Sequence, residues 1–306
     1  MKLFRYVICT YLLFSSLLLK AMEPTAVING LAIYKIGEGK PALLMPYPHA
    51  STYQSMSESK LVNIFNELGY AVYTFDSPGI FKSVREADVT LKEMLSCTDE
   101  VVSYFKISVP FLLVGHSQGG FCSLAFAIEY PDVVERMVLV GTPPGWPAVL
   151  KGSMHRQFPW YSRTRWEMMV RGTRKMIGCS NLKNHKKLDN VVATISFHDQ
   201  KFVQLQPVSK DDRKKPDPAR AKWMVNLRKY DYDYSSRLNE INIPVLIAVG
   251  QFDPQTPVKM NEEIHREIRN SAFHIFAESG HSPFVEEPAE FRQTVADWLV
   301  RLDKMK

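Results

Sequence analysis

Cysteine is scarce in this chain of 306 residues, and its four occurrences form no metal-binding spacing. They stand at Cys9, Cys97, Cys122 and Cys179, so no two of them are separated by only two residues. So few cysteines cannot build the disulfide framework of a small secreted domain, and a structural zinc site is not expected without a CxxC pair. The sequence therefore predicts neither a disulfide-stabilised scaffold nor a metal centre.

Internal repeats and low-complexity segments are also absent from the sequence. Hydrophobic residues make up 45% of the chain and charged residues 23%, which is close to the average of soluble globular proteins. Disorder, collagen and coiled coil are thereby excluded as descriptions of the whole chain. The length suits an α/β domain that carries an insertion.

Acidic residues are few between positions 151 and 230, where 19 Lys or Arg stand against 6 Asp or Glu. The remainder of the chain holds 19 basic and 26 acidic residues, so the middle segment has a distinct composition. No fingerprint of a nucleic-acid module accompanies the positive charge. We interpret the segment as a solvated helical face and predict no nucleic-acid partner.

No apolar run reaches the roughly 20 residues that a membrane span needs. Positions 6–19 form a mostly apolar run of 14 residues after Lys2 and Arg5, a pattern typical of a signal peptide. No A-x-A cleavage site precedes Ala21, so three interpretations of residues 1–21 remain. A cleaved signal peptide predicts export to the periplasm or outside the cell, an uncleaved segment predicts a membrane anchor, and translation from Met22 predicts a cytoplasmic protein. Membrane contact is expected only through this segment.

Short apolar strands alternate with helical patterns along most of the chain. Strands are predicted at 26–36 (a hairpin), 41–45, 70–75, 109–114, 136–140, 243–249 and 273–276, and helices at 55–68, 91–105, 121–129, 260–268 and 288–301. Such alternation predicts an α/β fold with a mostly parallel central sheet and helices on both faces.

The pattern changes in the middle of the chain, where aromatic and basic residues alternate and long apolar runs vanish. We predict a helical insertion there. The predicted organisation is an N-terminal segment at 1–21, a first part of the core at 22–142, the insertion at 143–236 and a second part of the core at 237–306.

Gly115-His116-Ser117-Gln118-Gly119 matches the pattern G-x-S-x-G directly after a predicted strand and before an apolar helix. In this setting the serine occupies a sharp, strained turn that raises its hydroxyl above the sheet. The pattern predicts that Ser117 is a nucleophile, whereas an ordinary glycine-rich turn is the alternative.

A serine hydroxyl is a weak nucleophile that needs an adjacent base, and the base needs an orienting carboxylate. Of the eight histidines, His281 lies in a loop directly after a predicted strand, where catalytic groups of such sheets are found. His116 adjoins the nucleophile, but the turn is expected to point it away. We therefore predict His281 as the base.

Asp253 follows the predicted strand 243–249 and is the predicted orienting acid. Glu278 is a rival that lies only three residues before His281, and Asp76 is a second rival in an Asp-Ser-Pro-Gly sequence that indicates a structural turn. The chain order Ser, Asp, His is the order expected for this architecture.

Five segments, FDSPGIFKS, LLVGHSQGG, PDVVERMVLVGTPP, IPVLIAVGQFDPQTP and AESGHSPFVEEPAEF, resemble the α/β-hydrolase fold family. The similarity is to its lid-containing serine hydrolase branch, which includes esterases and proline iminopeptidases. The resemblance implies that Ser117, Asp253 and His281 are nucleophile, acid and base. It also implies that the insertion is a lid over the pocket.

The loop MPYPHA departs from the His-Gly-x-Pro sequence that the family usually carries at this point, where a backbone N–H helps to form the oxyanion hole. The backbone N–H of Gln118 is one expected donor, because this residue follows the nucleophile. The prolines of the loop have no N–H, so the second donor is expected to come from Tyr47 or His49.

These residues predict a serine hydrolase that acts through an acyl-enzyme on a small ester-like or acyl substrate, with neither metal nor cofactor. Esters, thioesters, lactones, amides and carbon–carbon bonds next to a ketone stay open, because a fold does not choose among them. One alternative is a proline iminopeptidase-type aminopeptidase, which the basic insertion disfavours. The other is a non-catalytic binding protein, which the complete set of three residues disfavours.

Overall fold

The computed structural model describes residues 23–48, 56–86, 88–145, 197–199, 201–202, 218–230 and 232–305. Its strands are β1 (Ala26–Ile28), β2 (Leu31–Ile36), β3 (Lys40–Met45), β4 (Tyr70–Phe75), β5 (Phe111–His116), β6 (Val134–Val140), β7 (Val245–Gly250) and β8 (Ser271–Phe276). Its helices are α1 (Met56–Glu67), α2 (Leu91–Phe105), α3 (Gln118–Glu129), α4 (Pro218–Tyr230), α5 (Val258–Glu267), α6 (Pro283–Glu286) and α7 (Pro288–Asp303), with a 3-10 helix at Ser235–Glu240.

The eight described strands form one sheet in the order β1-β2-β4-β3-β5-β6-β7-β8. β1 and β2 pair antiparallel through a tight turn at Asn29 and Gly30, both of which have positive φ, and β2 pairs antiparallel with β4. All other neighbours are parallel. The predicted α/β class with a mostly parallel sheet is therefore confirmed.

Side chains that alternate along the central strands fill two separate hydrophobic layers, because neighbouring residues of a strand point to opposite faces. One layer is covered by α2, α3 and α5 and contains Leu43, Leu113, Leu139 and Ile247. The other is covered by α1, α6 and α7 and contains Leu44, Val114, Val138 and Ala248. With both faces covered, the carboxyl edge of the sheet is where polar side chains gather.

Element boundaries differ slightly from the predicted ones where backbone chemistry intervenes. α3 begins at Gln118, three residues before the predicted start, because the helix follows the turn at Ser117 without a linker. β5 begins at Phe111 rather than at position 109, since Pro110 has no N–H for the sheet ladder. The short helix α6 was not predicted.

The N-terminal segment 1–21 and most of the predicted insertion 143–236 lie outside the described residues. Within the insertion, α4 buries Trp223 and Leu227 against the layer that α2 and α3 cover. No helix in the described part of the chain is long and apolar enough to cross a membrane. Cys97 and Cys122 are buried free thiols.

We predict that Val138→Ala lowers the free energy of unfolding by about 2–3 kcal/mol, because it removes two methyl groups from a fully buried site in β6 and leaves a cavity. The matched control is Val27→Ala in edge strand β1, where the valine is 54% exposed and the expected change is within about 0.5 kcal/mol. Urea unfolding measures both. Equal losses would contradict the layer assignment.

Candidate active site

Ser117 stands in the turn between β5 and α3 with φ 52° and ψ −122°, a conformation that non-glycine residues rarely adopt. The turn is held by a 2.9 Å hydrogen bond from the Ser117 N–H to the carbonyl of Val140 at the end of β6. The residue is half-buried, so its side chain remains accessible. Strain of this kind persists where the surrounding structure fixes the backbone, as at catalytic nucleophiles.

Glycine is required on both sides of this serine for reasons of space. A Cβ on Gly115 would collide with Gly120 and with the hydroxyl of Ser123 in α3. A Cβ on Gly119 would collide with the carbonyl oxygen of Met45 at the end of β3. The two motif glycines therefore let α3 approach its own strand and the neighbouring strand closely.

Asp253 and His281 form a buried pair at the same edge of the sheet. Asp253 follows β7 and is fully buried, and its Oδ2 lies 2.7 Å from Nδ1 of His281, whose side chain is 6% exposed. Because a carboxylate oxygen accepts, Nδ1 carries the proton. The free lone pair of the neutral ring is then on Nε2, the nitrogen a general base would use.

The rest of the Asp253 carboxylate is saturated with donors. Oδ1 accepts from the backbone N–H groups of Gln255 at 2.8 Å and Thr256 at 3.0 Å, and Oδ2 accepts from the Thr256 hydroxyl at 2.7 Å. Burial acts to raise the pKa of Asp253, but electrostatic attraction to the His281 imidazole and these hydrogen bonds outweigh it and hold that pKa below its ordinary value. The carboxylate is thus kept ionised.

Gly141, after β6, provides the space for this pair. Its φ is +49°, and a Cβ there would stand 2.9 Å from Oδ2 of Asp253 and 3.1 Å from Nδ1 of His281. The next residue, Thr142, donates its N–H to Oδ1 of Asn261, whose Nδ2 donates to the Thr256 carbonyl. The loop after β6 and the loop that carries the acid are thereby tied together.

Two consecutive glutamates hold the loop that carries His281. Glu287 accepts from the Glu278 N–H at 3.0 Å and from the Ser279 hydroxyl at 2.5 Å. Glu286 accepts from the Gly280 N–H at 2.6 Å through one oxygen and from the Asp199 N–H at 2.8 Å through the other. Glu286 therefore joins the loop that carries His281 to a segment of the predicted insertion.

The predicted oxyanion-hole residues that the structure describes, Gln118 and Tyr47, lie on two different segments. Gln118 is the first residue of α3, so its N–H has no acceptor within the helix. Its side-chain oxygen accepts from the indole N–H of Trp223 at 2.6 Å. Tyr47 follows β3, and its carbonyl accepts from the Ser77 hydroxyl at 2.6 Å. His49 lies outside the described residues.

The rival carboxylates have other surroundings. Asp76 is buried and accepts from the Tyr34 hydroxyl at 2.7 Å and the Lys82 N–H at 3.2 Å, which fits a structural turn. Glu278 is exposed. The ring of His116, expected to point away from the nucleophile, lies against His281 with ring centroids 4.7 Å apart.

The structure thus brings Asp253 and His281 into direct contact. Ser117 directly follows His116, whose ring packs on the ring of His281. Among the described residues, no hydrogen bond joins the Ser117 hydroxyl to the His281 ring. Sequence reasoning missed Gly141 and Thr256 as parts of the site. The sequence Asp-Pro-Gln-Thr could have revealed Thr256, because an aspartate can accept hydrogen bonds from the backbone N–H groups of its own turn.

Comparison with known proteins identifies the family. Residues 50–288 match the family model described as alpha/beta hydrolase fold, which covers well over half of the chain. The chain therefore belongs to the alpha/beta hydrolase fold family. The prediction that it is a hydrolase is confirmed at this level.

Relatives within the family differ in the activities for which they are named. The chain is 28% identical over 272 residues to the 2-hydroxy-6-oxononadienedioate/2-hydroxy-6-oxononatrienedioate hydrolase of Paraburkholderia phymatum, covering 86% of this chain and 88% of that protein. It is 27% identical over 203 residues to a proline iminopeptidase of Lactobacillus delbrueckii subsp. bulgaricus, covering 62% and 65%. An esterase structure from Exiguobacterium antarcticum shares the fold with a TM-score of 0.66 at 22% identity, over 88% of this chain and 94% of that one.

Glu286 generates a prediction about pH. Burial raises the pKa of Glu286 from its ordinary value of 4.5 to about 7, and the N–H groups of Asp199 and Gly280 offset this only in part. Between these two pH values the folded protein binds more protons than the unfolded chain, so this carboxyl costs stability as pH rises. Glu286→Gln cannot titrate. The melting temperature of the variant minus that of the unsubstituted protein should therefore increase from pH 4.5 to 7.5.

Thermal unfolding at one-unit pH steps measures this difference. The matched control is Glu262→Gln, which removes an exposed glutamate of α5 and should give no such trend. A difference that stays constant across the range for Glu286→Gln would contradict the assigned environment.

Proposed function

We propose that this chain is a serine hydrolase in which Ser117 is the nucleophile, His281 the general base and Asp253 the orienting acid. The observation that carries the proposal is the buried 2.7 Å contact between Asp253 and His281 at the sheet edge where Ser117 occupies a strained turn. A buried, ionised carboxylate on Nδ1 leaves Nε2 as the proton acceptor, which is the arrangement that activates a hydroxyl.

In the proposed reaction, Ser117 Oγ attacks the acyl carbonyl carbon while His281 takes the hydroxyl proton. The resulting imidazolium is stabilised by Asp253 and gives its proton to the leaving group, which departs as an alcohol, amine or carbon acid. Water then repeats the sequence on the acyl-enzyme and releases the carboxylic acid. No step uses a metal or redox group.

The tetrahedral intermediate carries an oxyanion that requires hydrogen-bond donors. The proposed first donor is the N–H of Gln118, which has no acceptor in α3. The second comes from the loop after β3, at Tyr47 or His49. Loss of one such donor lowers the rate by about 10²–10³-fold in hydrolases.

The proposed proton transfer requires Ser117 and His281 to come within hydrogen-bond distance. Catalytic hydrogen bonds are commonly long in ligand-free structures and tighten when substrate binds. A Ser117–His281 hydrogen bond that forms when substrate binds is therefore part of the proposal.

We propose a small ester-like or acyl compound as the substrate. A second candidate is hydrolysis of a carbon–carbon bond next to a ketone in an anionic oxo acid. Two observations favour it: the relative from Paraburkholderia phymatum is named for an oxo-dioate, and positions 151–230 of this chain carry 19 basic against 6 acidic residues. The same positive charge disfavours an aminopeptidase, which must hold a free amino group.

We predict that a fluorophosphonate probe labels the chain and that Ser117→Ala abolishes labelling. Asp253→Asn should slow labelling by about 10⁴-fold, because the amide no longer fixes the tautomer of His281. The matched control is Asp76→Asn, which changes a buried aspartate of the structural turn and should leave substantial labelling if the chain folds. Labelling that survives Ser117→Ala would refute the proposal. A folded chain that is never labelled would favour a non-catalytic binding protein.

We predict turnover of p-nitrophenyl esters of short acyl chains in a panel that also contains aminoacyl-naphthylamides and 2-hydroxy-6-oxononadienedioate. Release of p-nitrophenol, naphthylamine or the cleaved acids is followed by absorbance. Turnover of the naphthylamides alone would make the aminopeptidase correct, and a kcat/KM for the dioate at least tenfold above every ester would favour the second candidate. Ser117→Ala is the control for background hydrolysis.

A further inference from the structure

A chain of two hydrogen bonds runs from the loop after β3 to the backbone of the proposed base. The hydroxyl of Tyr47 lies 2.5 Å from Nδ1 of His116, and Nε2 of His116 lies 2.8 Å from the carbonyl oxygen of His281. His116 is 2% exposed. The proposed mechanism does not use its side chain.

The direction of both bonds follows from the chemistry of the partners. A carbonyl oxygen can only accept, so Nε2 of His116 must carry a hydrogen. The neutral ring then presents a lone pair at Nδ1, and the Tyr47 hydroxyl donates to it. This arrangement needs no buried positive charge. It selects the Nε2–H tautomer of His116.

Packing reinforces the same connection. The ring of His116 lies 4.7 Å from the ring of His281 and 5.0 Å, edge-on, from the ring of Phe284 in α6. His116 also precedes Ser117 directly, at the end of β5. One side chain therefore contacts the base loop from within the nucleophile turn.

We propose that His116 is a positioning residue for His281 and that the Tyr47 hydroxyl, by donating to Nδ1, holds the His116 ring in the orientation in which it works. This inference rests on the proposed function. In the other tautomer, the Nε2 lone pair would face the His281 carbonyl oxygen, which would repel it and leave a buried acceptor unsatisfied. The base loop would then shift relative to Ser117.

Tyr47→Phe tests the role of the hydroxyl, because it keeps the ring and the backbone N–H that is a candidate oxyanion donor. We expect kcat for a p-nitrophenyl ester to fall about tenfold with KM nearly unchanged, the effect of one neutral hydrogen bond. His116→Ala should have the larger effect and lower kcat about 100-fold relative to the unsubstituted enzyme, since it also removes the ring contact. Tyr104→Phe, at an exposed tyrosine of α2, is the control and should match the unsubstituted enzyme.

The double variant separates positioning from general destabilisation. If the hydroxyl acts through the ring, Tyr47→Phe has no further effect once His116 is alanine, so the double variant should be as fast as His116→Ala. The inference would be overturned if the losses of kcat in the two single variants multiplied in the double variant, or if Tyr47→Phe left kcat unchanged. Thermal unfolding of each variant confirms that the folded enzyme is being measured.

A second readout does not depend on activity. Nitrogen-15 NMR of histidine-labelled protein, with His116 assigned by its loss in His116→Ala, should show the Nε2–H tautomer in the unsubstituted chain, with an Nδ1 resonance that shifts in Tyr47→Phe because it loses its hydrogen bond. An Nδ1–H tautomer in the unsubstituted chain would refute the inference. Absence of fluorophosphonate labelling in the unsubstituted chain would instead refute the proposed function and the role of His116 with it.

Discussion

The buried contact between Asp253 and His281 is the constraint around which this edge of the sheet is built. A fully buried carboxylate stays ionised only where donors replace the water it has lost. Here the backbone N–H groups of Gln255 and Thr256 and the Thr256 hydroxyl do so, along with the imidazole. The same groups leave no room for a side chain at Gly141, directly after β6. The residue type at the end of β6 is therefore constrained by the buried carboxylate of Asp253, which lies in another loop.

His281, the proposed base, is supported differently from Asp253, the proposed acid, because His281 sits on a loop rather than in a tight turn. Glu287 and Glu286 accept hydrogen bonds from the three residues that precede His281. The carbonyl oxygen of His281 accepts a hydrogen bond from Nε2 of His116. These partners come from the helices that follow the loop and from the nucleophile turn. A histidine held by partners from two directions has little freedom to rotate away from its acid, and such preorganisation is what catalysis by positioning requires.

The sequence predicted the parts of this molecule that depend on local patterns. Apolar runs located all eight described strands, counting the hairpin as two, and missed only details of their ends. G-x-S-x-G pointed to Ser117, which occupies the strained turn, and strand ends pointed to Asp253 and His281, which lie in contact. What could not be predicted depends on chain segments far apart in sequence. Gly141 is needed because of Asp253, 112 residues later, and the Tyr47–His116 bond spans 69 residues. No local pattern encodes those distances.

The proposed catalytic residues and the excess of positive charge lie in different parts of the chain. Ser117, Asp253 and His281 follow strands of the central sheet, whereas the positive charge lies in the segment between β6 and β7. That segment contacts the site at two described points, through Trp223 on Gln118 and through Asp199 on Glu286. One contact reaches the proposed oxyanion donor and the other reaches the base loop. Substrate contacts with this segment would therefore act on both the proposed oxyanion donor and the loop of His281, which is how binding energy distant from the reacting bond can lower the barrier.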